Sequence, residues 1–209
     1  ALLGGRFRDR VPLSWSLASG SLSQDLAEAR RMMEKGITIF KAKVGADTLD
    51  ADIERIKTIR TELGRGISLR VDVNQGWDVP KAARAILEME PFDLDFCEQP
   101  VPKWDIEGLG ELRQRSRTPI MADESLTDIH AGLELVKKKA ADIFSIKLTK
   151  MGGLLGALNF YNLIQAAGLG AYIGCMIETC VGTSAYLQFA AAVPQLEYGC
   201  ELFGPLRLT

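Results

Sequence analysis

Charged residues follow short apolar runs at a regular interval along this chain of 209 residues. They stand at positions 43, 72, 98, 123 and 147, so neighbouring positions are 24 to 29 residues apart. A strand of about five residues, a helix of about 10–12 and two short loops need close to that length. The spacing therefore predicts a repeating βα unit, and it restricts the possible folds more than any other feature of the sequence.

Eight short apolar runs are predicted to be strands, and segments with helical periodicity separate them. The predicted strands are residues 11–17, 37–43, 67–73, 94–97, 120–122, 142–146, 169–175 and 196–200. Apolar strands between amphipathic helices favour a parallel sheet covered on its outer face, and eight of them favour closure. We predict an α/β fold, a TIM-like (β/α)7β barrel, as one domain over residues 1–209. The alternative is an open doubly wound sheet, which needs a glycine-rich phosphate loop after strand one. The chain has Leu17-Ala-Ser-Gly20 there, which is not a GxGxxG motif.

The composition excludes several classes of function. Hydrophobic residues make up 47% of the chain, which is typical of a globular domain and not of a disordered one. A formal net charge of −2 provides no concentrated positive field, so we predict neither a nucleic-acid partner nor a membrane-surface partner. The apolar segments are shorter than the roughly 20 residues that a membrane helix needs, so no span is expected.

The four cysteines, at positions 97, 175, 180 and 200, lack the CxxC spacing of a zinc site. Because three of them lie in apolar strand-like runs, buried free thiols are favoured over two disulfide bridges. Free thiols predict a reducing, cytoplasmic compartment. The chain opens at Ala1 without an initiator Met or a basic leader, so we expect no secretion and a piece of a longer protein.

In such a barrel, the carboxyl ends of the strands meet at one mouth, where active sites are built. The residues expected there are Lys41, Lys43, Asp72, Glu98, Asp123, Lys147 and Glu201. Asp72, Glu98 and Asp123 come from consecutive strands and offer hard oxygen ligands, which suit Mg²⁺ and also Mn²⁺. Zinc is disfavoured because the single histidine, His130, falls on a predicted helix.

Lysines flank the three carboxylates, from strand two and from strand six. Lys41 and Lys43 are two residues apart and share a face, so mutual repulsion is expected to lower the pKa of one of them. We predict Lys43 as the acid/base. The set fits removal of a proton alpha to a carboxylate, because a cation stabilises the enediolate as it forms.

Each of these residues also has a structural interpretation. A single strand-end aspartate is more often a helix cap than a metal ligand. Five charged residues at one-unit spacing, with three carboxylates between lysines, favour a site instead. For Glu178 the two interpretations are balanced, as part of the active-site wall or as a structural hydrogen-bond partner. We include Glu201, at the end of the eighth predicted strand, among the catalytic candidates.

Five segments of the chain together resemble the muconate-lactonising subgroup of the enolase superfamily. They are Phe40-Lys-Ala-Lys-Val-Gly45, Val71-Asp-Val-Asn-Gln-Gly-Trp77, Cys97-Glu-Gln-Pro100, Ile120-Met-Ala-Asp-Glu-Ser125 and Ile146-Lys-Leu148 with Gly152-Gly153. Sites of this superfamily combine a lysine or histidine base with Mg²⁺.

The resemblance implies a role for each matching residue. Asp72, Glu98 and Asp123 would hold the metal, and Lys43 and Lys147 would form an opposed acid/base pair. Lys41 would tune Lys43, while Asn74 and Glu124 would lie behind the ligands. The family also has an α+β capping domain, made from an N-terminal segment and the C-terminal end, and neither part is expected in this sequence. A homo-oligomer, an octamer by the resemblance, is expected.

Two activities remain open within the subgroup. Residues 12–20 and 199–205 resemble muconate cycloisomerases, which interconvert cis,cis-muconate and muconolactone, whereas residues 73–77, 98–102 and 174–179 resemble dipeptide epimerases. Those epimerases usually end strand eight in Asp-x-Asp, where this chain has Glu201-Leu-Phe. We predict a Mg²⁺-dependent cycloisomerase of cis,cis-muconate or a related diacid or lactone, working through a metal-stabilised enediolate. The alternatives are a racemase or epimerase of dipeptides or N-acyl amino acids and, outside enzymes, an inactive ligand-binding barrel.

Overall fold

The computed structural model describes residues 3–207, so the predicted domain bounds at 1 and 209 lie outside the described residues. Strands and helices alternate from the first strand to the seventh helix, with a short 3₁₀ turn, Glu90–Phe92, before the fourth strand, and a last short helix follows the seventh. The strands are β1 Ser14–Leu17, β2 Ile39–Lys43, β3 Ser68–Asp72, β4 Cys97–Glu98, β5 Ile120–Ala122, β6 Ile143–Ile146 and β7 Gly170–Ile173. The helices are α1 Leu22–Glu34, α2 Leu49–Leu63, α3 Val79–Met89, α4 Ile106–Arg115, α5 Ile129–Lys137, α6 Leu154–Ala166, α7 Cys180–Ala192 and α8 Gly204–Arg207.

All neighbouring strands pair in parallel, in the order of the sequence from β1 to β7. Cys200 then forms one parallel bridge to Leu13, beside β1, and another to Ile173 in β7. These bridges join the two edges of the sheet, so the predicted α/β barrel is confirmed and the doubly wound alternative is wrong.

The eighth predicted strand, 196–200, is wrong in extent, because in residues 3–207 only Cys200 of this segment makes strand-type bridges. Gly199 adopts a φ of 76°, which an extended strand does not permit. A Cβ at this position would lie 2.9 Å from the carbonyl oxygen of Pro12, so a glycine is needed for the close approach that closes the barrel.

Side-chain caps mark the beginning of several helices. The Asp78 side chain accepts a hydrogen bond from the Lys81 amide at 2.9 Å at the start of α3, and Asp128 accepts one from the Ala131 amide at 2.9 Å at the start of α5. Such caps satisfy amide groups that have no partner inside the helix. Each of these two caps stands six residues after the end of the preceding strand, so a short loop joins the strand to the helix.

The core has two layers because strand residues alternate between the two faces of the sheet. Outward-facing residues such as Phe40, Leu69 and Phe144 are fully buried against the helices. Inside the barrel, a smaller cluster built around Phe96 and Tyr172 fills the lower part. Above this cluster, the upper end of the barrel at the carboxyl ends of the strands is open to a ligand.

The cysteines are all free thiols within the described range, as predicted. Cys97 and Cys200 are buried, but Cys175 is half-buried and Cys180 is exposed. The predicted burial is therefore wrong for Cys180, which is the first residue of α7 and follows an exposed loop. No helix in residues 3–207 has the length and apolar character to cross a membrane.

Candidate active site

A cavity of about 310 Å³ opens at the carboxyl ends of the strands. The predicted mouth residues that line it are Lys41, Lys43, Asp72, Glu98, Asp123, Lys147 and Glu201. Asn74 lines the same cavity. The structure thus brings together seven side chains that are spread over 160 residues of sequence. A second cavity, of about 440 Å³, lies at the opposite end of β6 and β7, where Arg113 pairs with Asp142.

The strand register explains why the charged groups meet. Lys43 is paired with Asp72, and Asp72 with Glu98, so these three residues stand at one level on adjacent strands. Residues at one level of neighbouring parallel strands point to the same face. Three ionisable side chains are therefore directed into the barrel at its mouth.

Lys41 is the buried centre of the network, with a side chain only 3% exposed. Its Nζ lies 2.6 Å from Glu98 Oε2, 2.7 Å from Glu201 Oε1 and 3.2 Å from Asp72 Oδ2. Burial by itself lowers the pKa of Lys41, but the charges of Glu201, Glu98 and Asp72 together raise it well above its usual value. The charged form of Lys41 is therefore favoured, and the lowering of pKa expected from repulsion between Lys41 and Lys43 does not occur at Lys41.

Lys43 lies above Lys41 and is more accessible, with a side chain 36% exposed. Its Nζ donates to Asp72 Oδ2 at 2.5 Å and to Asn74 Oδ1. Asn74 Nδ2 in turn donates to Glu124 Oε1 at 3.0 Å. Glu124 and Asn74 thus form a hydrogen-bonded support for the ammonium group of Lys43.

Asp123 is held from two directions on the other side of the mouth. Lys147 Nζ donates to Asp123 Oδ2 at 2.8 Å, while Lys150 Nζ donates to Asp123 Oδ1 at 2.7 Å and to its carbonyl oxygen at 2.6 Å. Burial raises the pKa of Asp123, but the charges of Lys150 and Lys147 outweigh it and hold this pKa well below the usual value. Burial lowers the pKa of Lys147, but its ion pair with Asp123 raises this pKa by more, so the pKa of Lys147 lies above its usual value.

Glu98 is a carboxyl group of the site whose ionised form is disfavoured. It is buried, and burial followed by the charge of Asp72 raises its pKa well above the usual value, against the opposing effect of Lys41. Asp123 and Glu201 add to this repulsion. The crowding of carboxylates is a physical reason for a further cation to bind here.

In residues 3–207, however, no three His, Cys, Asp or Glu side chains are arranged to hold a metal ion. The reason is visible in the contacts, since lysine ammonium groups hold the carboxylate oxygens of Asp72, Glu98 and Asp123. The donor chemistry suits a hard dication, but some of these ion pairs must open before it can bind. The assignment of the three ligands stays a prediction.

Two residues of the site were missed by the sequence analysis. Lys150 lies in the turn after β6, where its amide donates to the Lys147 carbonyl at 3.0 Å, and its three-residue distance from Lys147 was the available signal. Gln99 is fully buried, and its Oε1 accepts from the amides of Asp123 and Ser125 at 3.0 Å each. Gln99 therefore ties the end of β4 to the loop that carries Asp123.

Glu178 lies in the loop after β7, beside the lining of the cavity. Its Oε1 accepts a hydrogen bond from the Met176 amide at 2.9 Å, and its carbonyl oxygen accepts one from Thr183 Oγ1 at 3.2 Å. These contacts are those of a structural hydrogen-bond partner, which was one of the two interpretations that the sequence left open.

The fold and the site define a parallel barrel whose ionisable groups converge at the carboxyl ends of the strands, where barrel proteins carry their functional residues. The chain belongs to the enolase C-terminal domain-like family, whose model matches residues 24–209. The resemblance seen in the sequence is thereby confirmed.

Two curated relatives show which members of the family this chain is similar to. The chain is 42% identical over 209 residues to muconate cycloisomerase 1 of Pseudomonas putida, covering 100% of this chain and 56% of that protein. It is 40% identical over 206 residues to a chloromuconate cycloisomerase of Cupriavidus pinatubonensis, covering 98% of this chain and 55% of that protein. The chain thus spans about half the length of the curated relatives it matches.

Solved structures agree with this placement. The chain is similar to a muconate lactonizing enzyme from Pseudomonas fluorescens, solved in complex with muconolactone, with a TM-score of 0.96 and 40% identity. The match covers 98% of this chain and 56% of that one.

Proposed function

We propose that this domain is the catalytic barrel of a Mg²⁺-dependent cycloisomerase that acts on cis,cis-muconate or on a related diacid or lactone. The observation that carries the proposal is the convergence of three strand-end carboxylates with lysines on both sides at one mouth. The names of the relatives, which are muconate and chloromuconate cycloisomerases, support it.

Asp72, Glu98 and Asp123 would hold the dication, with Mn²⁺ able to replace Mg²⁺. Buried Glu98 supports this choice, because a bound cation would favour its ionised form, which burial and the charge of Asp72 disfavour by raising its pKa. When bound, the ion supplies a Lewis acid that stabilises negative charge developing on a substrate carboxylate.

The lysines have separate tasks in this proposal. Lys43 is accessible from the cavity and moves the proton at the alpha carbon, while Asn74 orients its ammonium group. Lys147 lines the same cavity from the far side, held by Asp123, and is the opposed acid/base. Lys41 stays buried and charged, so it neutralises carboxylates and does not exchange protons with a substrate.

An epimerase of dipeptides remains the second candidate because lysines on opposed sides can serve both faces of an alpha carbon. Glu201 is the observation against it. Its Oε1 lies 2.7 Å from Lys41 Nζ, and its side chain is only 7% exposed, so it is committed to an internal ion pair. A substrate ammonium group would have to compete with Lys41 for this carboxylate, whereas a diacid would not.

A substrate panel tests the proposal on the full-length protein. The rates with cis,cis-muconate, a chlorinated muconate, N-acyl amino acids and dipeptides are compared in the presence of Mg²⁺. We expect turnover of a diacid, and removal of the ion by EDTA should abolish it. Preferred turnover of dipeptides or N-acyl amino acids would replace the cycloisomerase with an epimerase or racemase, and inactivity throughout would favour the ligand-binding barrel.

We further propose that the protein acts in the cytoplasm as a homo-oligomer and that residues 1–209 work with a capping domain. The free thiols support the compartment. Light scattering on the full-length protein gives the subunit number, for which the family resemblance predicts eight.

A further inference from the structure

Lys150 is a fourth lysine of the site and reaches it from behind. Its side chain is 19% exposed, and its Nζ contacts both Oδ1 and the carbonyl oxygen of Asp123. Lys147 takes the other carboxylate oxygen, Oδ2, and also lines the cavity. Asp123 therefore has one ammonium group on each oxygen, and only Lys147 is placed to meet a substrate.

Direct ion pairs join an equal number of positive and negative groups around the mouth in the described part of the chain. The members are Lys41, Lys43, Lys147 and Lys150 with Asp72, Glu98, Asp123 and Glu201. Arg207 also lines the cavity and forms a separate pair with Glu28, which leaves the balance equal. One further carboxylate, Glu124, is connected only through neutral Asn74. With all eight groups ionised, the paired network is neutral before any ion or substrate enters.

A dication that enters a neutral network leaves it with net positive charge. A substrate with two carboxylates removes that excess, whereas a zwitterionic dipeptide removes none of it. Because charges in a partly buried site interact more strongly than in water, the net charge of the site affects its affinity for the ion and for the substrate. The ion and a dicarboxylate should therefore bind better together than either binds alone.

We propose that Lys150 is the positioning residue that couples divalent-cation binding to dicarboxylate binding. Its ammonium group adds a positive charge beside the Asp123 carboxylate, and this charge repels a bare ion. The inference rests on the proposed function and deepens it, because it gives one residue, Lys150, a part in binding both the ion and the diacid. Such coupling is reciprocal, so the diacid and the ion raise each other's affinity by the same factor.

The direction in which one substitution changes ion affinity separates this role from simple packing. Replacing Lys150 by Met removes the charge but retains a long side chain. A packing role predicts that the Asp123 carboxylate becomes disordered and that the ion binds more weakly. The charge role predicts that the ion binds more tightly in the absence of diacid, because a like charge beside the ligand is gone.

The experiment measures Mn²⁺ affinity of the full-length protein by electron paramagnetic resonance, with and without adipate as an unreactive six-carbon diacid. Wild type should bind Mn²⁺ more tightly when adipate is present. Lys150→Met should bind Mn²⁺ on the order of tenfold more tightly without adipate, about 1.4 kcal/mol, and should gain less from adipate. Its KM for the diacid should rise more than its kcat falls.

Two further variants serve as controls. Lys150→Arg keeps the charge and should behave like wild type in both titrations. Lys138→Met removes the lysine of a surface ion pair with Glu107, away from the mouth, and should change neither affinity. Lys150→Gln provides a second neutral variant, should Lys150→Met fail to fold.

An unchanged or weaker Mn²⁺ affinity in the neutral Lys150 variants would overturn the inference while leaving the proposed function intact. The same holds for a wild type whose Mn²⁺ affinity is indifferent to adipate. A wild type that binds no Mn²⁺ in either condition would instead overturn the metal-dependent function itself.

Discussion

The two sides of the barrel mouth distribute charge in opposite ways. On the side centred on β2, two lysines share three carboxylates, and the central lysine is almost completely buried. On the side of β5 and β6, Asp123 alone accepts hydrogen bonds from Lys147 and Lys150. The first side has an excess of negative charge and the second an excess of positive charge.

This difference explains how a network of zero net charge can bind both a cation and an anionic substrate. Under the proposed function, the negative side favours the dication, and the positive side favours the carboxylates of the substrate. The substitutions described next shift the charge or remove the connection on one side only, so each of them can break or sharpen the comparison.

Asp123→Asn should have the largest effect, since it removes the carboxylate that Lys147 and Lys150 share. We expect loss of measurable Mn²⁺ binding and of turnover, because two ammonium groups then face the ion without a counter-charge. Isothermal titration with Mn²⁺ measures this. Asp50→Asn, at an exposed ion pair with Arg84, is the control and should bind Mn²⁺ as wild type does. Retained binding in Asp123→Asn would remove this residue from the ligand set.

Lys43→Ala tests the chemistry on the opposite side. We expect turnover to fall by about 10²–10⁴, the usual contribution of a general acid or base, while Mn²⁺ affinity changes little. Steady-state rates with a diacid, combined with Mn²⁺ titration, separate the two effects. Lys57→Ala, at an exposed pair with Glu54, should leave both unchanged. Lactonisation at a normal rate by Lys43→Ala would refute the assignment of the acid/base.

Lys41→Met should act on stability, because it leaves three buried carboxylates without their shared cation. We expect the free energy of unfolding to fall by about 3–5 kcal/mol. Urea denaturation measures this, and a loss below 1 kcal/mol would show that the carboxylates do not depend on Lys41.

The raised pKa of Lys41 adds a pH dependence to this prediction. A lysine whose pKa is higher in the folded state stabilises the fold fully below its ordinary pKa of 10.5, and this contribution is lost as the pH rises through the folded-state value. Wild type should therefore lose stability at strongly alkaline pH more steeply than Lys41→Met does. Parallel curves for the two proteins would contradict the account.

Glu124→Gln should have the smallest effect, since Glu124 acts on Lys43 only through Asn74. We expect kcat to fall by about tenfold, at the lower end of the range for groups that orient a metal site, with Mn²⁺ affinity nearly unchanged. A steady-state comparison with Glu111→Gln, on the exposed face of α4, checks this. Loss of Mn²⁺ binding in Glu124→Gln would make Glu124 a ligand and no longer a supporting group.

The sequence predicted the barrel and the residues of its mouth because both follow from short-range rules. The interval between charged positions is the length of a βα unit, and alternation along a strand sends Lys41 and Lys43 to one face. Parallel register then brings Asp72 and Glu98 to the level of Lys43. None of these steps needs the details of side-chain packing.

What the sequence did not predict depends on contacts between distant segments. Lys150 meets Asp123 across 27 residues through a turn whose course no periodicity describes. The eighth strand is reduced to one residue because Gly199 turns the backbone against Pro12, and Glu178 bonds to its own loop. The same holds for Lys41, whose raised pKa depends on three carboxylates from distant parts of the chain.

Solvent deuterium exchange into muconolactone tests the central claim most directly. The full-length protein is incubated with the lactone and Mg²⁺ in D₂O, and deuterium at the carbon alpha to the carboxylate is followed by nuclear magnetic resonance. We predict incorporation by wild type that requires Mg²⁺ and is lost in Lys43→Ala. Incorporation that persists in Lys43→Ala, or turnover of the lactone without Mg²⁺, would contradict the account.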